Sequence, residues 1–148
     1  MAPLTDFAAP LLGRWTLAGW SGLAASGRRV EHGGAQPSGV LIYLPSAQMA
    51  VQIQHDDRVR FGSTDLDAGN EALQAAAYRT YVAYAGRFSV PEAGVVVHHV
   101  EQALHPDQLG MDKRRAYEFE GEELLLRTQD VITDGVPATS VLRWRRAD

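Results

Sequence analysis

The feature that most constrains the fold is a pair of alternating stretches, Val95-Val96-Val97-His98-His99-Val100-Glu101 and Lys113–Phe119. In a strand successive side chains point to opposite faces, so the first sends His98 one way and His99 with Glu101 the other. The second sets Arg115, Tyr117 and Phe119 against Arg114, Ala116 and Glu118. If Tyr117 and Phe119 face a core, Arg115 faces it too. An inward histidine and an inward arginine beside aromatic rings predict a small binding cavity.

The rest of the chain reads mostly as short strands. Met1–Pro10 is an arm, and Leu11–Leu12 a turn of helix packed on a barrel end. Arg14–Trp20 is a strand whose alternation breaks between Leu17 and Trp20, predicting a bulge at Ala18–Gly19. Arg28–His32 fits a short polar strand. Gly39–Leu44 and Met49–His55 predict a hairpin across Pro45–Gln48. His55–Gly69 reads as a long polar loop. Asn70–Ala85 is the one helical stretch: Asn70 can cap it, Gly86 can end it, and Leu73, Ala76, Ala77, Tyr81 and Tyr84 fall on one stripe. Core packing is the plain reading of those tyrosines, and a hydroxyl reaching a cavity is the alternative. Strands then follow at Arg87–Val90, Val95–Leu104, Arg114–Glu120, Glu122–Thr128 and Thr139–Arg145, with Gln129–Pro137 as a loop. Many short strands around one inserted helix near 70–85 predict an all-β, antiparallel barrel of about eight to ten strands.

Composition narrows the function classes. A chain of 148 residues reads as a single domain, 1–148, with 1–10 as its arm. The net charge of −4 supplies no basic field for nucleic acid or an anionic membrane. With no cysteine, disulfides, thiolate metal sites and thiol nucleophiles are excluded. No stretch approaches the ~20 apolar residues of a membrane span, and Met1–Leu12 lacks the regions of a signal peptide. A cytoplasmic protein is expected.

Particular residues also carry a family resemblance. Leu12-Gly13-Arg14-Trp15 resembles the Gly-x-Trp signature that opens the first strand of lipocalin-like proteins. In that superfamily an arginine on the last strand packs across the tryptophan, and Arg143, Arg145 and Arg146 are the candidates here. The chain is similar to the bacterial and fungal lipocalin-like domain family at Gly39–Tyr43, Met49–Ile53, Asp57-Arg58 with Arg60-Phe61, Tyr84–Phe88, His98–Glu101, and from Gly110 through Arg115 to Leu126. It departs in lacking prolines across Asp56–Arg60 and in placing Ala116 where an aromatic is usual. The resemblance implies a lipocalin-like (calycin-type) barrel. Relatives of this kind bind small ligands, and some barrels in natural-product pathways act as cyclases or isomerases.

The candidate site follows from these residues. His98, among Val96, Val100 and Leu104, is either a satisfied core histidine or a group that contacts ligand and moves a proton. Arg115 needs either an internal carboxylate, Glu101 being one candidate, or an anionic ligand. Tyr43, Gln52, Tyr81, Tyr84 and Tyr117 complete the ligand-binding set, and His98 with Arg115 is the catalytic pair if there is catalysis. His99 and Glu101 form an outer cross-strand pair. His98 and His99 point apart and no zinc-like spacing occurs, so neither metal nor cofactor is expected. Three readings result: a binder of a small, partly hydrophobic molecule bearing a carbonyl or anionic group, an isomerase or cyclase on the same barrel, and a protein-interaction module with a filled lumen. Exposed edges on an incomplete barrel would favour a homodimer.

Overall fold

The computed structural model describes the backbone of residues 4–23, 29–133 and 136–147, and the side chains of these except 29, 129–133 and 136–138. Nine strands form among the described residues: β1 (Gly13–Leu23), β2 (Arg29–Glu31), β3 (Ser38–Tyr43), β4 (Gln48–Gln54), β5 (Tyr81–Glu92), β6 (Val95–Ala103), β7 (Asp112–Glu120), β8 (Glu123–Thr133) and β9 (Val136–Arg146). They pair antiparallel in the order β2-β1-β3-β4-β5-β6-β7-β8-β9, and β9 returns to β1. Eight strands thus close a barrel, with β2 as an extra strand. Closure removes the edges of the sheet, apart from the three residues of β2 among the described residues.

β1 performs the closure by serving two neighbours in turn. Gly13–Thr16 pairs with β3, and Ser21–Leu23 pairs with β2, while β9 runs along its other side. The β1–β9 register slips between Leu17 and Gly19, the place where the alternation of the sequence breaks. Inside, alternate residues of the barrel strands form one core, including Leu17, Leu41, Met49, Val51, Ile53, Phe88, Val90, Val96, Leu124, Leu126 and Leu142, with half-buried Tyr117 of β7 packed against it.

One barrel end is plugged. A short 3-10 helix, Asp6–Leu11, buries Ala8 and Leu11 there, and Thr5 Oγ1 donates to the Val90 carbonyl at 2.7 Å. Trp15 is buried, donates from Nε1 to the Leu11 carbonyl at 2.9 Å, and carries the Arg146 guanidinium 4.2 Å above its ring. Arg146 also donates to the carbonyls of Leu12 and Pro10. Of the three arginine candidates on the last strand, Arg146 is the one that closes the barrel.

Two boundaries differ from the sequence reading. The helix, α1, covers Glu71–Arg79 and no more, and it buries none of its residues. Asn70 caps it as expected, accepting from the Leu73 amide at 2.9 Å, but Tyr81–Ala85 belongs to β5 and pairs with Gln54–Ala50 of β4. The run Tyr81-Val82-Ala83-Tyr84 satisfies either period, and the ladder offered by β4 outweighs helix propagation. Gly86 is accordingly not a helix cap. A Cβ there would lie 1.9 Å from the His99 carbonyl oxygen, so the residue is glycine because β6 passes too close for anything larger. The second difference is at Gln129–Pro137, where β8 continues to Thr133 and β9 begins at Val136 through a register shift between Thr128 and Val131.

Candidate functional site

The plugged end holds Trp15 and Arg146, and the polar lumen lies toward the other end. His98 on β6 is 2% exposed and is gripped at both ring nitrogens. The Tyr43 hydroxyl on β3 lies 2.6 Å from Nε2, and the Tyr84 hydroxyl on β5 lies 2.7 Å from Nδ1. A neutral imidazole has one N–H and one acceptor nitrogen, so one phenol donates to the ring and the other accepts from it. The neutral form is enforced. Burial, then the charges of Arg115 and Lys113, push the His98 pKa down to about 3. Burial next to Tyr84 likewise raises the Tyr43 phenol well above its ordinary value.

β7 brings two cations to the same interior. Its register places Lys113 opposite His98 and Arg115 opposite Val96, and both side chains are 4% exposed. Arg115 donates from Nη1 to the Arg114 carbonyl at 3.2 Å. The Lys113 ammonium sits 5.1 Å from the centre of the Tyr84 ring, a cation–π distance. His98 and Arg115 therefore do converge inside the barrel, as the alternation of the two strands predicts. Lys113 shares the parity of Arg115, which was the signal in the sequence that could have placed it inside.

These groups line an internal cavity of about 160 Å³. Tyr84, His98, Lys113 and Arg115 form its polar wall. Leu41, Val51, Ile53, Val82, Leu126 and Leu142 supply apolar surface, Trp20 and Trp144 supply aromatic surface, and Thr128 with Ser140 contributes a hydroxyl pair at 2.5 Å. Gln108, from a 3-10 helix at Pro106–Gln108, completes the lining. The Trp20 ring stands against His32 and His55 at 5.3 and 5.9 Å between centroids. The sequence reading gives no site role to Trp20, Gln108, Thr128, Ser140 and Trp144, whose convergence on one cavity depends on how the barrel closes.

The other predicted residues are distributed differently. Tyr43 packs on Phe88 and reaches the cavity only through His98. Tyr117 packs against the core and meets Phe119 edge-on, and Phe119 is largely exposed rather than inside. Gln52 and Tyr81 stand on the outer surface of β4 and β5, where the Tyr81 hydroxyl donates to Gln52 Oε1. They are not part of the lumen. His99 and Glu101 face outward but do not pair with each other: His99 Nδ1 lies 2.7 Å from Asp112 and Nε2 2.9 Å from Ser89, while Glu101 meets Arg87 at 3.6 Å. Leu104, expected beside His98, is exposed at the strand end.

A family model described as lipocalin-like domain matches residues 12–147, nearly the whole barrel. The chain belongs to the lipocalin-like domain family. This lipocalin-like chain is similar to the 4'-hydroxy-3'-methoxypropiophenone carrier protein ppsC of Aspergillus oryzae (strain ATCC 42149 / RIB 40), at 28% identity over 106 residues that cover 66% of this chain and 96% of that protein. Among solved structures, the lipocalin-like barrel aligns with a mutant of the REP1-NXSQ fatty acid transporter at a TM-score of 0.38 and 10% identity, covering 95% of this chain and 100% of that one. No described helix is long and apolar enough to cross a membrane.

Proposed function

We propose that the barrel binds one small, partly apolar molecule built on a single ring and bearing a carbonyl or anionic oxygen. The observation that carries this reading is a cavity of about 160 Å³ whose one wall presents Tyr84, Lys113 and Arg115 and whose remainder is largely apolar or aromatic. Such a volume lies below the ~300–1,000 Å³ of drug-sized sites. It is close to the ~150 Å³ that accommodates a benzene ring. Few polar groups in an apolar surround orient a ligand rather than merely hold it. A guanidinium has five donors and an ammonium three, enough to serve a wall partner and a ligand oxygen together. The relative in Aspergillus oryzae is named for a single-ring aryl ketone, and that chemistry suits this cavity.

Binding fits His98 better than proton transfer does. An isomerase or cyclase would need this imidazole to exchange a proton with its substrate, yet both nitrogens are engaged by tyrosines and protonation is strongly disfavoured. His98 instead fixes the Tyr84 hydroxyl at the cavity wall.

The test is isothermal titration calorimetry with 4'-hydroxy-3'-methoxypropiophenone. Saturable one-to-one binding is expected. Arg115→Met and Lys113→Met should each weaken it by about tenfold, since a hydrogen bond to a charged donor is lost. An absence of heat with a folded wild-type protein, or a stoichiometric loss of the ketone as product forms, would overturn the binder reading.

A further inference from the structure

The outer face of the barrel holds a second histidine, and its two partners differ in kind from those of His98. His99 Nδ1 lies 2.7 Å from Asp112 Oδ1, and Nε2 lies 2.9 Å from Ser89 Oγ. An ionised carboxylate only accepts hydrogen bonds, so Nδ1 carries the proton. In the neutral imidazole Nε2 is then the acceptor, and the serine hydroxyl donates to it. Hydroxyl, imidazole and carboxylate thus stand in the order of a nucleophile, its general base and the group that orients the base.

Three neighbouring strands hold this constellation. The ladders set His99 of β6 opposite Asp112 of β7 and opposite Arg87 of β5. Ser89 lies two residues along β5 from Arg87 and so shares its face. Strand pairing, rather than a loop, fixes all three positions. Ser89 faces Val97, and the register slips directly after it, between Ser89 and Glu92. Bulges of this kind re-aim side chains and are over-represented beside active sites. The His99 and Asp112 side chains keep 36% and 70% of their accessible surface, so solvent and substrate reach them from outside. At that exposure the carboxylate holds the tautomer more than it supplies a field, because its charge is screened.

We infer that Ser89, His99 and Asp112 form a second functional site on the outer wall, an acyl-transfer centre that cleaves small carboxylic esters. It shares no residue with the internal cavity and stands apart from the binding reading. Ser89 Oγ adds to the ester carbonyl carbon while its proton passes to His99 Nε2. The bond to the alcohol oxygen then breaks, and that proton leaves with the alcohol. Water, deprotonated by the same nitrogen, cleaves the acyl–serine bond, releasing the carboxylic acid and returning the proton to Ser89. Arg87 puts a guanidinium on the face where the oxyanion develops. An open strand face meets the ester with little beyond these side chains and Val97, which favours small, activated acyl groups.

The test is covalent labelling of the folded full-length chain with an alkyl fluorophosphonate, whose phosphorus takes the serine oxygen as fluoride leaves. Intact-mass and fragment-ion spectrometry should find one adduct, on Ser89, and 4-nitrophenyl acetate should be cleaved with the same residue dependence. His99→Gln should slow labelling by about 100-fold. Asp112→Asn should slow it by a smaller factor. In the wild type the labelling rate should rise with pH along a single imidazole titration, a readout that needs no variant to fold. No adduct, an adduct on another serine, a rate that merely follows hydroxide concentration, or equal rates in wild type and a folded His99→Gln would each overturn the site.

Discussion

Tyr43 and His98 are 55 residues apart in the chain, and inside the barrel the phenol oxygen lies 2.6 Å from Nε2 of the imidazole. With Tyr84 on the other nitrogen, both ring nitrogens are hydrogen-bonded, and burial, followed by the charges of Arg115 and Lys113, keeps a second proton off the ring. The imidazole is therefore a fixed element of the cavity wall, and it makes the barrel sensitive to acid.

The sign of that sensitivity is set by the fall of the His98 pKa from 6.5 to about 3 on folding. Above pH 6.5 neither state is protonated and the histidine adds no pH dependence. As pH falls from 6.5 toward 3, the unfolded chain takes up a proton that the folded barrel refuses. Stability then drops by at most about 1.4 kcal/mol per pH unit. Urea unfolding at a series of pH values should show this loss beginning near 6.5, and His98→Gln should flatten the part above pH 4.5. Glu123, held below its ordinary 4.5 by Arg145 and Arg143, adds a loss of the same sign only at lower pH. A wild-type curve that is level from pH 7 to 4.5 would refute the assignment.

Tyr43→Phe removes one hydroxyl and leaves His98 Nε2 buried without its partner. The expected cost is about 1–3 kcal/mol in chemical denaturation, with the barrel still formed by circular dichroism.

Gly86→Ala should be far more damaging than a surface glycine replacement. The added Cβ would meet the His99 carbonyl at 1.9 Å and the Glu101 amide nitrogen at 3.0 Å, both backbone atoms that cannot swing away. Separation of β5 from β6 should cost more than ~3 kcal/mol, or abolish soluble expression. Gly121→Ala, where no neighbour lies within 4 Å although φ is +61°, is the control and should cost only ~1 kcal/mol.

At the plugged end, Arg146→Ala removes a cation 4.2 Å from the Trp15 ring and two hydrogen bonds to the arm carbonyls of Leu12 and Pro10. Stability should fall by about 1–2 kcal/mol, and amide exchange should rise first in Asp6–Leu11. Ligand affinity should be unaffected, because the cavity does not include this residue.

Much of this architecture is legible in the sequence because it is local. Alternation along Val95–Glu101 and Lys113–Phe119 carries the facing of His98 and Arg115, and the broken alternation after Leu17 marks the bulge in β1. Pattern and spacing also suffice for the Ser38–Gln54 hairpin, whereas the tryptophan–arginine closure is implied only by the family resemblance, and the structure selects Arg146 from its three candidates. Where two periods fit equally, as at Tyr81–Tyr84, local information fails. The ladder to β4 decides, and it moves Tyr84 from a helix stripe to the cavity wall. For Gln52 and Tyr81 the same ladder places both side chains outside.

What the sequence alone determined was an antiparallel barrel with an inward histidine and an inward arginine, since strand periodicity is a property of each segment by itself. Only the tertiary structure decided which groups meet. Tyr43 on β3 meets His98 on β6, and Trp20 on β1 joins Trp144 on β9 in the cavity lining, through the curling of the sheet and the closure of β9 onto β1, whereas Lys113 meets His98 across the local β6–β7 ladder. Closure is a long-range event, and it brings residues from distant strands to opposite walls of one lumen.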